Sequence, residues 1–238
     1  MAPVAVLDVP SLIEDLSTHP VNSNPFFQAF KDRYLSPRQM RVFVKQYHYF
    51  CFHFVKALEG LLYRTPVEEL DMRVELAKTL YSELGSGCAN QVHIRQLQTF
   101  ARSIGLRPYD LQEVEPIPEV MDYLDTLHKL FIDSDYLTAL GAELAVETTA
   151  VSEFQFFYPG LQKYEHFSRE DLEFFEFHLE EEVQHGDWLV QAVQKTAKTS
   201  DDLDQVSLGA MAAADAWLAF WNGMYHCVFE TTPPSLSQ

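Results

Sequence analysis

With 238 residues, 47% of them hydrophobic, the chain is long enough to bury one sizeable core, and no apolar run reaches the roughly 18 residues needed to span a bilayer. A formal charge of −18 would repel a phosphate backbone and gain little from an anionic lipid surface, so neither nucleic acid nor membrane is an expected partner. Cys51, Cys88 and Cys227 form no C-x-x-C pair, which argues against a disulfide framework and a cysteine-rich zinc site; the start, MAPVAVLDVP, has no basic region, and a cytoplasmic protein is expected.

Only 9 glycines occur and no segment alternates apolar and polar residues between turn signals, so the chain reads as all-α. The pattern predicts helices near 9–18, 24–34, 37–63, 66–102, 118–132, 135–164, 169–197 and 201–229. Ser36-Pro37 with Gln39, and Thr65-Pro66 with Glu68, resemble capping boxes with proline at the first helical position. Ser168 before an acidic first turn, and Ser200 before DDLDQV, read as N-caps. The stretch GLRPYDLQEVEPIPE, residues 105–119, carries three prolines and is expected to be irregular. The whole is expected to be a single helical domain over 1–230 with a loose tail at 231–238.

In the helix at 37–63, Phe43, Tyr47, Phe50 and Phe54 recur at helical spacing, a stripe expected to pack in the core and in part to line a pocket. His48 and His53 read as satisfied polar groups, and Lys45 and Lys56 as side chains reaching solvent.

The stretch FHLEEEVQH, residues 177–185, carries the chemistry. On a helix, His178, Glu182 and His185 fall at about 0°, 40° and −20°, a single face, while Glu180 at about 200° points away. Two imidazoles and a carboxylate form a ligand set suited to iron, manganese or zinc; the bland alternative is an acidic solvated face with two incidental histidines. Further donors are needed for a binuclear site. Glu143 and Glu147 lie one turn apart on an apolar helix, where burial is costly unless the acid is paired or bound to a cation, and either could face the core. Glu83 and His93 would stand about 80° apart on an unbroken helix. Gly85 and Gly87 between them allow an unwinding or a π-type bulge that would bring them together; the alternative is that the glycines end a helix and leave His93 on the surface of the next. A ferritin-like site with two Glu-x-x-His motifs accommodates Glu182 and His185, but Asn90 stands where the second glutamate belongs, Asp125-x-x-His128 is out of order, and His178 is left without a role.

The order Glu83, His93, Glu147, His178, Glu182, His185 resembles that of the haem-oxygenase-like diiron oxidases, as do SPRQMRVFVKQYHYF and YSELG followed by HIRQLQTFARSIGL, together covering about residues 24–195. Two departures stand out: a longer gap between Glu83 and His93, and Glu182 where the family commonly has aspartate. The resemblance implies a bundle of about seven helices in which these six residues hold two irons that bind dioxygen between them, with no catalytic group beyond them. It also implies a small-molecule organic acid as substrate and a separate electron donor. Members oxidise fatty acids or amino-acid-like substrates to alkenes, N-oxygenated products or nitriles, and similarity to nitrile-forming members makes an aromatic, tryptophan-like amino acid the leading expectation. A metal-free thiaminase-like or quinone-cofactor-oxidase-like enzyme shares the scaffold, and a non-enzymatic helical binding protein is the remaining class. Whether the chain forms a homodimer is left open by the sequence.

Overall fold

The computed structural model describes residues 8–230, apart from the side chains of residues 180–188; the expected loose tail at 231–238 lies outside them. The described residues form helices and no strand. In chain order these are α1 Val9–Thr18, α2 Pro25–Asp32, α3 Pro37–Arg64, α4 Leu70–Glu83, α5 His93–Ser103, α6 Pro108–Gln112, α7 Pro118–His128, α8 Tyr136–Gln162, α9 Arg169–Thr196 and α10 Ser200–Tyr225. Short 3-10 turns lie at Pro20–Ser23 and Ala89–Gln91, and π-helical turns extend α7 over Lys129–Asp133 and α10 over His226–Glu230. No helix among the described residues is long and apolar enough to cross a membrane.

Local chemistry sets most of these boundaries. Ser36 caps α3 reciprocally: its hydroxyl accepts from the Gln39 N–H, and Gln39 Oε1 accepts from the Ser36 N–H at 3.0 Å. Ser168 and Asp171 do the same for α9. Two expected caps are corrected. Thr199, not Ser200, caps α10, because Thr199 is the extended residue and its hydroxyl accepts from the Asp202 N–H at 3.2 Å, while Ser200 is already helical. Thr65 closes α3 instead of opening the next helix: its hydroxyl turns back to donate to the Leu61 carbonyl at 2.8 Å, and α4 begins only at Leu70. Inside the irregular 105–119 connection the short α6 forms, with Asp110 accepting from the Arg107 N–H at 2.9 Å.

The largest correction concerns the single helix expected over 66–102. It is two helices, because Gly85, Ser86 and Gly87 have φ of 84°, 50° and 85°, three successive left-handed residues that no right-handed helix contains.

α8 is the central helix. From Ala139 to Ala145 it is almost wholly buried, and it packs most extensively against α10 and then α9. The α8–α10 crossing requires glycine on both sides: a Cβ at Gly141 would strike the Val206 backbone, and one at Gly209 the Thr138 backbone. Beside this crossing, aromatic rings from α2, α3, α8 and α10 interlock, with Phe26 4.8 Å from Trp221, Phe30 4.9 Å from Phe43 and Phe43 stacked on Tyr47 at 5.5 Å between centroids. Each such ring removes roughly 150–250 Å² from water, so this wedge holds α2, α3, α8 and α10 together. The aromatic stripe of α3 therefore divides its duties. Phe43 packs in the core, whereas Tyr47, Phe50 and Phe54 also face a cavity between α3, α8, α9 and the α4–α5 connection.

Candidate metal centre

The left-handed turn after α4 is a built structure. The Gly85 N–H donates to the Ser82 carbonyl at 2.8 Å, the Ser86 N–H to the Tyr81 carbonyl at 2.8 Å, and the Cys88 N–H to the Gly85 carbonyl at 2.7 Å. The Tyr81 hydroxyl donates to the Ser86 carbonyl at 2.7 Å. The chain reverses through this turn and the 3-10 segment Ala89–Gln91, so Glu83, the last residue of α4, meets His93, the first of α5. His93 is buried, not on the surface of the second helix.

Glu83 Oε1 lies 3.1 Å from His93 Nδ1 and 4.0 Å from Nε2 of His178 on α9. One donor atom from each of Glu83, His93 and His178 falls within 4.8 Å of the others. The two imidazoles are 4.5 Å apart at 69°, and His178 is held by Phe154 stacked at 4.7 Å and Phe174 at 4.2 Å. Nδ1 of His178 sits 2.6 Å from the Phe174 carbonyl, an acceptor, so Nδ1 carries a proton and Nε2 is the ring nitrogen presented toward Glu83. This is the orientation a backbone carbonyl gives to a metal-binding imidazole.

The open choice on α8 resolves into two buried acids. Glu147 lines the cavity together with Glu83, His93 and His178. Glu143, one turn earlier, is 0% exposed, and neither of its carboxyl oxygens has a hydrogen-bond partner. Burial lifts its carboxyl well above the usual range, and the charges of Glu147 and Glu83 lift it further. Three carboxylates crowd a space where a cation would remove their mutual repulsion and satisfy the orphaned oxygens. The donor set of imidazole and carboxylate, converging from α4, α5, α8 and α9, fits iron. Glu182 and His185, the remaining expected ligands, lie outside the described side chains; α9 runs through their positions.

Other histidines stay apart from this centre. His48 is buried on the far face of α3 beside Gln98, and burial, with a further contribution from His53, depresses its imidazole to about 4. Its Nδ1 has no hydrogen-bond partner, so the expectation of a satisfied polar group holds for one ring nitrogen only.

The cavity holds about 220 Å³. Its wall also carries Glu153, a residue the sequence reading passed over. Glu153 is 2% exposed and accepts from the Tyr47 hydroxyl at 2.6 Å. Burial pushes its carboxyl up to about 8, although the Tyr47 hydroxyl and then the indoles of Trp217 and Trp221 hold it lower than burial alone would. The available signal was a lone acid in the apolar run VSEFQFF, six residues beyond Glu147.

Comparison with known proteins accords with this geometry. A family model described as iron-containing redox enzymes matches residues 41–218. The 4-aminobenzoate synthase of Nitrosomonas europaea is 25% identical, over 85% of this chain and 84% of its own. The 4-chloro-allylglycine synthase of Streptantibioticus cattleyicolor is 21% identical, over 91% of this chain and 82% of its own. Among solved structures, a CADD-like protein of unknown function from Nostoc punctiforme shares the fold with a TM-score of 0.77 and 21% identity, covering 92% of this chain and 96% of that one.

Proposed function

Because this chain belongs to the haem-oxygenase-like family of iron-containing redox enzymes, we propose that it is a dioxygen-dependent oxidase whose site takes two irons and whose substrate is a small amino acid, best an aromatic one converted to a nitrile. Membership makes it an oxidoreductase that uses iron; the number of irons, the substrate and the product belong to the proposal. The observation that carries the reading is the convergence of Glu83, His93 and His178 beside the orphaned carboxylate of Glu143. In this reading those residues and Glu147 hold the metals together with Glu182 and His185 from α9. Bound iron would supply the one-electron reactivity toward dioxygen that no side chain of the protein offers.

The protein's own part is positional. The Phe174 carbonyl holds the Nδ1 proton of His178 and so fixes the tautomer that presents Nε2. Phe154 and Phe174 clamp the same ring, leaving it little rotational freedom. The largely apolar walls of the cavity exclude water from a reactive centre. The substrate class rests on two supports: a cavity of about 220 Å³ is small for a long acyl chain, and both curated relatives are named for making small amino-bearing acids. A separate electron donor completes the proposed reaction.

Anaerobic reconstitution with ferrous iron should load about two irons per chain, and Glu83→Ala or His178→Ala should weaken loading by more than the roughly 10- to 100-fold expected when only a supporting contact is lost. Oxygen uptake and mass spectrometry of products, with aromatic and aliphatic amino acids set against fatty acids, test the substrate. Absence of bound iron, or unchanged loading in both variants, overturns the reading.

A further inference from the structure

α4 is apolar on two opposite faces. Met72, Leu76 and Leu80 turn inward and are buried, within about 0° to 80° around the axis when Met72 is set at 0°. Leu70, Val74, Ala77 and Tyr81 fall between about 140° and 200°, on the other side. Leu70 is 66% exposed, Val74 52% and Tyr81 59%, and Ala77 is exposed with them. Val67 in the turn before α4 and Leu84 at its C-cap, both exposed, prolong the row. From Val67 to Leu84 the intervals are three, four, three, four and three residues, the spacing of a and d positions in a coiled coil. A continuous apolar row of this kind on a water-facing helix marks an association surface.

The row matches itself when reversed. In an antiparallel pair of α4 helices, Val74 meets the partner's Ala77, Leu70 the partner's Tyr81, and Val67 the partner's Leu84, with the two-fold axis between Val74 and Ala77. The small Val–Ala layers at the centre let the helices approach closely, and the larger Leu–Tyr layers fill the space on either side. The charges fit the same register. Asp71 and Lys78 stand on one edge of the row, at about 260° and 240°, and reversal brings Asp71 within about 3 Å, two residues' rise, of the level of the partner's Lys78. A parallel pair would instead set Lys78 beside the partner's Arg73, a like charge, so the charges select the antiparallel arrangement. Lys195 at 3.4 Å from Asp71, and Glu75 at 2.7 Å from Lys78, are exposed ion pairs that can be shared or released at little cost.

We propose that the outer face of α4 binds a second copy of this chain, forming a two-fold symmetric dimer in which the two α4 helices run antiparallel. The interface lies beside the candidate metal centre. Tyr81 holds the left-handed turn after α4 through the Ser86 carbonyl, and Leu84 lines the cavity as well as ending the row, so the partner's Val67 closes over one edge of that cavity. The association itself depends on the surface of α4 and not on the chemistry of the site.

The test is sedimentation velocity of the full chain, with and without ferrous iron, over a roughly hundredfold concentration range. The wild type should move from monomer to dimer and no further, because a two-fold contact closes on itself. Val74→Glu places two carboxylates near the axis and should weaken association at least about tenfold; Val74 is on the surface, and an unchanged helical spectrum and melting temperature show that the variant folds. Leu208→Glu, at an exposed apolar residue of α10, is the control and should leave association unaltered. Register is read by charge reversal. Asp71→Lys alone and Lys78→Asp alone should each weaken the dimer at least about threefold, and the two together should restore it to within about threefold of wild type. A monomer at every concentration overturns the proposal, including one in which residues 231–238 cross-link to α4 and so occupy the face. A dimer indifferent to Val74→Glu, one broken by Leu208→Glu instead, or one that the paired reversal does not restore overturns it too. Iron content is read on the same samples: a dimer without iron refutes the oxidase reading alone, and a monomer that loads iron refutes this inference alone.

Discussion

Replacing Gly85 by alanine should weaken iron binding although Gly85 offers no donor atom. The residue has a φ of 84°, where a Cβ costs about 1–2 kcal/mol. The added methyl would also lie 2.5 Å from the Val92 nitrogen and 2.7 Å from the Gln91 carbonyl carbon, and closer still to the Cys88 carbonyl oxygen. All three are backbone atoms that cannot rotate away, so the chain must shift, at about 1–3 kcal/mol for overpacking of this kind. The sum of roughly 2–5 kcal/mol falls on the turn that brings Glu83 to His93, and each 1.4 kcal/mol borne by the metal-bound state is a factor of ten in affinity. Gly87→Ala is the internal control: its φ is 85°, but its Cβ would meet the Tyr81 side chain, nearest at the hydroxyl at 3.1 Å, rather than backbone. Ferrous-iron titration against a chelator should show a loss of at least about tenfold for Gly85→Ala and a smaller loss for Gly87→Ala. Wild-type iron affinity in Gly85→Ala, or the reverse order of the two variants, would refute the claim that this turn builds the site.

Two further outcomes follow from the same geometry. Hydrogen exchange of residues 83–93 should slow when ferrous iron is added, because metal binding to Glu83 and His93 supplies ordering free energy to the turn that joins them; equal protection with and without iron contradicts this. Glu153 gives a pH signature in the iron-free protein. Its carboxyl is held up to about 8 against an ordinary value of 4.5, so the folded state keeps the proton longer than the unfolded one. Its contribution to stability is fully present below 4.5 and is lost as pH rises toward 8, a change on the order of 5 kcal/mol at 1.36 kcal/mol per unit. Urea midpoints at several pH values should therefore fall less steeply for Glu153→Gln than for the wild type, and parallel curves would remove Glu153 from the account.

Helix positions were legible because they depend on local chemistry. The Ser36–Gln39 and Ser168–Asp171 boxes each satisfy backbone groups within four residues, and α1 spans the expected 9–18. Thr65 and Ser200 misled for the same reason: a hydroxyl beside a helix end can serve the helix behind it, or yield to the residue before it, and only the backbone conformation decides which.

The donor types for a metal, and the place of His178 on α9, followed from the sequence, since helical periodicity is a property of neighbouring residues; Glu182 and His185 lie outside the described side chains. Gly85 and Gly87 marked where regular geometry had to fail, but nothing local dictates that three left-handed residues and a 3-10 turn should return His93 to Glu83; that closure depends on α5 packing against α9. The state of Glu143 was likewise beyond the sequence. An acid on an apolar helix can face solvent or core, and here it is the burial of α8 between α9 and α10 that strips both its oxygens of water and leaves them without a partner. Glu153 and Tyr47 are separated by 106 positions, so their meeting is a tertiary event. The sequence determined the helices and the kinds of donor; packing determined which donors converge, because desolvation and distance act only between segments the fold brings together.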